Sequence, residues 1–106
     1  MKKIALDFDE TYTAMPQIWD RFISDCKRHG HTVTIVTARG EWENNPSYNH
    51  DIRVVADFHG IEVVYTGGEQ KSEHFKADIW IDDNPSWIPS LDMLKFAVRT
   101  CEAGEP

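Results

Sequence analysis

Cysteine is scarce in this sequence. Only Cys26 and Cys101 occur, with no CxxC pair and no histidine at metal-type spacing beside them. That argues against a disulfide framework and against a thiolate metal site; two free thiols in a reducing compartment are expected instead. Five histidines are present, but none falls in a pattern such as HExxH, so no zinc is assigned to them. Long hydrophobic runs are also missing, and no stretch approaches the ~20 apolar residues that a membrane-spanning helix needs. Basic residues are few: 11 Lys and Arg stand against 18 Asp and Glu, for a formal net charge of −7. A broad basic surface for nucleic acid is thereby disfavoured, because phosphate neutralisation needs clustered Lys and Arg. A small local site that handles one phosphate is not.

The opening "MKKIALDFDE" has the positive start of a secretion signal, yet Asp7 and Asp9 interrupt what would be its apolar region. A cytoplasmic protein without a membrane association is the expectation. No internal repeat, low-complexity tract or interdomain linker is visible. With 106 residues the chain has room for one domain and one modest core. Residues 1–101 are assigned to that domain and 102–106 to a frayed tail.

Apolar runs alternate with helical spacing. Lys3 to Leu6 reads as a short buried strand. Pro16 suits a first helical turn; Ile18, Trp19, Phe22, Ile23 and Cys26 repeat at helical spacing, and Gly30 suits the end. The β-branched run Thr32 to Val36 is a second strand. "RGEWENNPS" is a loop, in which Trp42 is either a substrate-stacking residue or a loop anchor. Tyr48, Ile52, Val55 and Phe58 mark a second helix with Gly60 as its stop. "IEVVY" (61–65) is a third strand, followed by the Gly67-Gly68 break and a short helix from Ser72 to Phe75. "ADIWI" (77–81) is a fourth strand; a short helical piece near Trp87 to Met93 and an edge strand over 95–98 complete the chain. Trp19 and Trp80 are expected in the core, and Trp87 beneath the turn after strand four. Such alternation predicts an α/β domain with a mostly parallel sheet and right-handed crossovers.

In parallel sheets ligands bind at the carboxyl ends of the strands, near the reversal in strand order. Asp7 and Asp9 follow strand one, Thr37 follows strand two, and Asp82 and Asp83 follow strand four. If strands one and four are neighbours, four carboxylates converge. They would repel one another, and some would protonate unless a cation joined them. A hard divalent cation with oxygen ligands answers this, and Mg²⁺ fits because it takes one or two carboxylates and leaves room for a phosphate. Lys71, after the glycine break, and the Thr37 hydroxyl can both reach a phosphate at this edge. The set suggests phosphoryl transfer: a carboxylate is ionised at neutral pH and attacks phosphorus without a general base. A second acid would protonate the leaving oxygen and later deprotonate water.

"LDFDET", "IVTAR", Lys71 and "IDDNP" resemble, in order, the four motifs of the haloacid dehalogenase superfamily of aspartate-nucleophile phosphatases. The likeness covers residues 4–85. It implies a three-layer Rossmann-like domain with strand order 3-2-1-4-5. It implies Asp7 as nucleophile and Asp9 as general acid and base. Thr37, Ala38, Arg39 and Lys71 become the phosphate- and substrate-binding positions, with Lys71 also holding Asp7. Arg39 is equally readable as a surface ion pair, and Lys76 is a rival for the role of Lys71. Mg²⁺ would be bound by Asp7, the Asp9 carbonyl and the Asp82-Asp83 pair, one of the pair being the direct ligand and the other its support. Glu10 departs from the glycine common at that position; "DFDET" is similar to the branch that acts on phosphoserine tails, but that branch's β insert is absent here. Neither Thr11–Pro16 nor Thr66–Lys71 has room for the cap domain that the family often inserts, so an open site is expected. Open sites suit bulky phosphorylated substrates such as phosphoproteins or nucleic-acid ends, with the 39–50 loop or a second subunit as a possible lid. The activity implied is Mg²⁺-dependent phosphomonoester hydrolysis through a phosphoaspartate. Its alternative is a catalytically silent relative that binds phosphate or metal. A receiver-like switch fits poorly, because no aspartate follows strand three in "VVYTGG".

Overall fold

The computed structural model describes residues 1–41 and 47–89. Four strands form one parallel sheet: β1 (Lys3–Leu6), β2 (Thr32–Thr37), β3 (Val63–Tyr65) and β4 (Ile79–Ile81), in the order β3-β2-β1-β4. Leu6 lies between Ile35 on one side and Ile81 on the other. The architecture is α/β and compatible with a Rossmann-like fold. The expected edge strand over 95–98, the helical piece beyond residue 89, Cys101 and the tail lie outside the described residues, as does Trp42.

Between the strands run α1 (Pro16–Arg28), α2 (His50–His59) and the single turn α3 (Lys71–His74). Proline opens α1, where its missing N–H costs no hydrogen bond. Gly60 closes α2 in the left-handed conformation at φ 65°, which glycine adopts without a steric penalty. The alternation along β1 and β2 sends Ile4, Leu6, Val33 and Ile35 to one face, where they join Ile23 of α1 and Ile52 and Ala56 of α2. Right-handed crossovers put both helices on that face, because the chain steps β1 to β2 to β3 in one direction. Ala5, Thr34 and Val36 point the other way and are equally buried, so the second face is covered as well.

The structure trims several sequence expectations. β3 and β4 begin two residues later than the apolar runs suggest, because strand pairing starts only at Val63 and Ile79. Phe58 does not join the helical stripe: it is 79% exposed, and Ile18 is exposed too, both having turned out of the core. Trp19 is half-buried and packs against the core as expected, whereas Trp80, also half-buried, meets Phe75 edge to face at 6.4 Å. Trp87, in the 3₁₀ turn Pro85–Trp87, stays exposed rather than packing beneath it. No helix among the described residues is long and apolar enough to cross a membrane.

Candidate functional site

The winding reverses at β1, whose neighbours are β2 and β4. Crevices at such points collect whatever follows the strand ends. Asp7 leaves β1 with its N–H donating to the Ile81 carbonyl at 2.9 Å, which clips the turn to the end of β4. The next residues, Phe8–Tyr12, form a wide turn in which the Tyr12 N–H donates to the Asp7 carbonyl and the Thr13 N–H to that of Phe8. Glu10 takes the left-handed conformation at φ 65°, a position that ordinarily favours glycine. Phe8 is buried and stacks on Tyr12 at 5.3 Å, so the turn has an apolar floor.

Lys71 is the centre of the site. The sequence places it in the loop after β3, but it opens α3 and is only 1% exposed. A buried ammonium is costly unless paired. Its Nζ donates to Asp7 Oδ1 at 2.8 Å and to Asp82 Oδ2. Oxygens of Asp7, Asp82 and Asp83 all lie within 4.8 Å of one another. Two carboxylates thus share one ammonium, with the exposed Asp83 beside them, and negative charge is left over. Burial is the main influence on Asp7 and pushes its carboxyl up to about 6, with the nearby Asp82 and Asp83 adding to the rise and Lys71 opposing it.

Thr11 joins the cluster, although sequence reasoning gave it no role. Its Oγ1 stands 3.2 Å from both Asp7 Oδ2 and Asp83 Oδ1, and accepts the Asp83 N–H at 3.1 Å. The single hydroxyl proton serves one carboxylate at a time. The available signal was its place four residues after Asp7, inside "DFDET". Asp82 has both oxygens engaged, Oδ2 by Lys71 and Oδ1 by the Asn84 N–H at 2.9 Å. Oδ2 of Asp83 receives no hydrogen bond from the described residues.

Asp9 is not in the cluster. The expected convergence of four carboxylates is corrected to three, because the Asp9 side chain turns to Arg39, whose Nη2 and Nε donate to its two oxygens at 2.7 and 2.9 Å. Arg39 therefore takes the ion-pair alternative, with Asp51 as a second carboxylate partner at 2.8 Å. Thr37 ends β2 with no exposed surface, and its Oγ1 accepts the Arg39 N–H at 3.2 Å; Ala38 is half-buried between them. Lys76 is exposed and has no hydrogen bond or ion pair with the cluster.

Three carboxylates supply hard oxygen donors at one point. Adjacent ligands of a Mg²⁺ ion stand ~3 Å apart and opposite ones ~4.2 Å, so a bound ion would draw oxygens that lie within 4.8 Å of one another closer together. The donor set fits such an ion. Comparison of the chain with protein-family models, with curated proteins and with solved structures returned no match.

Proposed function

We propose that the protein is a Mg²⁺-dependent phosphomonoester hydrolase of the haloacid dehalogenase type, acting through a phosphoaspartate on Asp7. One observation carries this reading: a fully buried lysine bridges Asp7 and Asp82 at the reversal of a parallel sheet, with Asp83 alongside. Structural ion pairs seldom bury one cation between two acids with a third, exposed one beside them, since the excess charge costs stability. An excess of buried carboxylate is explicable when the site awaits a divalent cation and an anionic substrate.

Asp7, Asp83 and the Asp9 carbonyl would hold the ion, with Asp82 braced by Lys71 and Asn84; the free Oδ2 of Asp83 favours it as the direct ligand of the pair. Bound Mg²⁺ would supply positive charge that lets a phosphate dianion approach a carboxylate. Lys71 holds Asp7 Oδ1 and keeps the carboxylate aimed. An Asp7 oxygen forms the bond to phosphorus while the ester bond breaks, and the leaving oxygen takes a proton from Asp9. Water then attacks the phosphoaspartate, its proton passes to Asp9, and inorganic phosphate leaves with Asp7 restored. Thr37, buried with its hydroxyl on the Arg39 N–H, would support the backbone at Ala38 that flanks the phosphate. Only residues 7–15 and 66–70 join β1 to α1 and β3 to α3, so among the described residues neither connection holds a cap, which suits phosphates on bulky substrates.

The test compares Asp7→Asn and Asp9→Asn on an aryl and an alkyl phosphate, with Mg²⁺ and with chelator. Asp7→Asn should be inactive on both esters. Asp9→Asn should keep part of its phosphoryl capture from the aryl ester, read as a first-turnover burst of the phenol, because a good leaving group needs protonation least. Hydroxylamine-sensitive phosphate on Asp7, seen by mass spectrometry, would identify the intermediate. Full activity in chelator, or an active Asp7→Asn beside a dead Asp9→Asn, would overturn the assignment.

A further inference from the structure

The sequence offers Arg39 as a substrate-binding residue, but its guanidinium has nothing left to offer. Nε and Nη2 donate to Asp9 at 2.9 and 2.7 Å. Nη1 and Nη2 donate to Asp51 at 2.8 and 3.0 Å. Nη1 makes a longer bond to Asn49 Oδ1 at 3.5 Å. A guanidinium carries five N–H donors, and these contacts use all of them. Its face lies over the Phe8 ring, 5.3 Å from the centroid.

The backbone around it is held as well. The Arg39 N–H donates to Thr37 Oγ1, and its carbonyl accepts from the Gly67 N–H at 3.1 Å. Asn49 Nδ2 donates to the Gly40 carbonyl at 3.0 Å. Arg39 is thus a rigid fork with its rear edge on the first turn of α2. Asp9 stands in contrast: half of its side-chain surface is open, and Arg39 is its only side-chain partner among the described residues. Left alone, an exposed carboxylate swings among rotamers.

We infer that Arg39 is the positioning residue for Asp9, with Asp51 as its rear anchor. The inference rests on the phosphatase reading, in which Asp9 exchanges the proton. A carboxylate has about four lone-pair sites, and the fork occupies two. One site on each oxygen stays open for a proton, so the fork aims the group without blocking it. Arg39 touches neither the reacting phosphorus nor the leaving oxygen in this scheme; it acts through Asp9.

A positioning role and a phosphate-binding role separate in kinetics. Loss of aim lowers kcat and leaves KM nearly unchanged, whereas loss of a phosphate ligand raises KM. General acid–base catalysis contributes ~10²–10⁴-fold, so Arg39→Gln should lower kcat by ~10–100-fold on ethyl phosphate. On 4-nitrophenyl phosphate, where protonation of the leaving group matters least, the first-turnover burst of nitrophenol should slow by less than ~3-fold, while steady-state turnover falls because Asp9 also takes the proton of the attacking water. In an Asp9→Asn background, Arg39→Gln should cause no further loss, because the group it aims is gone. Asp51→Asn, on the far edge of the fork, should lower kcat by ~3–10-fold with the same leaving-group dependence and the same silence in Asp9→Asn. It also serves if Arg39→Gln folds poorly, which thermal melting reports.

All variants are assayed in saturating Mg²⁺ beside wild type and Asp7→Asn. No wild-type turnover, or full turnover by Asp7→Asn, overturns the phosphatase reading and the clamp with it. Wild-type turnover that is lost in Asp7→Asn upholds the reading. In that case a KM effect of Arg39→Gln, a slowing of the nitrophenol burst as large as the loss on ethyl phosphate, or losses that multiply with Asp9→Asn overturn the clamp alone.

Discussion

Replacing Asp7 with asparagine should make the metal-free protein more stable. Burial, the largest influence, holds the Asp7 carboxyl near 6 rather than at its ordinary 3.8, and Lys71 only partly offsets it. For an acid, a raised value in the folded state means that the folded chain prefers the neutral form. The stability from that preference is fully present below 3.8, falls as pH rises towards about 6, and is gone above it. At about 1.36 kcal/mol per pH unit, ionised Asp7 costs the folded chain up to about 3 kcal/mol relative to neutral Asp7. Asparagine has the shape of the neutral acid and cannot ionise. In chelator, Asp7→Asn should therefore gain up to about 3 kcal/mol near pH 8 and almost nothing near pH 4. The assay is urea unfolding at both pH values. With a slope of roughly 1.5 kcal/mol/M, the gain at the higher pH is a midpoint shift on the order of 2 M. Saturating Mg²⁺ should narrow the gap, since mass action stabilises only the chain with its full set of ligands. If wild type in chelator near pH 8 matches or exceeds Asp7→Asn, the carboxylate is not under the strain that the geometry implies. The gain would also explain a cost of function, because the oxygen that attacks phosphorus is the one the fold would sooner lack.

Thr11→Val removes the acceptor of the Asp83 N–H and the hydroxyl between Asp7 and Asp83, so it should cost about 1–3 kcal/mol in thermal unfolding. An unchanged melting curve would mean that the contact is incidental. Asp20 accepts from the Tyr12 hydroxyl at 2.6 Å and lies 2.7 Å from His59 Nε2, tying the turn after β1 to both α1 and α2. Burial pushes the Asp20 carboxyl up, but the hydrogen bonds from Tyr12 and His59 outweigh it and leave it below 3.8. A lowered value for an acid gives stability that is present above 3.8 and lost as pH falls below it. Because the carboxylate is more than a third exposed, Asp20→Asn should cost no more than ~1 kcal/mol near pH 6 and less near pH 3. Urea midpoints at the two pH values check this, and a cost that grows on acidification would reverse the assigned sign.

What the sequence determined by itself was local. The β-branched run at residues 32–36, the helical spacing after Pro16 and the stop at Gly60 all follow from backbone preferences that act within a few residues. The neighbourhood of β1 and β4 was also legible, because α/β winding admits few alternatives once the acidic strand ends are to meet. Helix faces were read less well. Ile18 and Phe58 sit at helical spacing with their neighbours, yet periodicity does not say how wide a stripe the sheet can cover.

The working parts of the site were decided only by tertiary structure. Lys71 lies 64 residues from Asp7, Thr11 lies 72 from Asp83, and Arg39 lies 30 from Asp9. Nothing in the sequence tells a lysine on the surface from one sealed between two carboxylates. Nor does it tell an arginine free to take a phosphate from one whose donors are all engaged. Asp7 and Asp9 read as a pair along the chain, but packing draws one to Lys71 and the other to Arg39. Residue type sets which charges are available; which of them meet depends on side-chain directions that exist only after the sheet has closed, when every buried charge must find a partner.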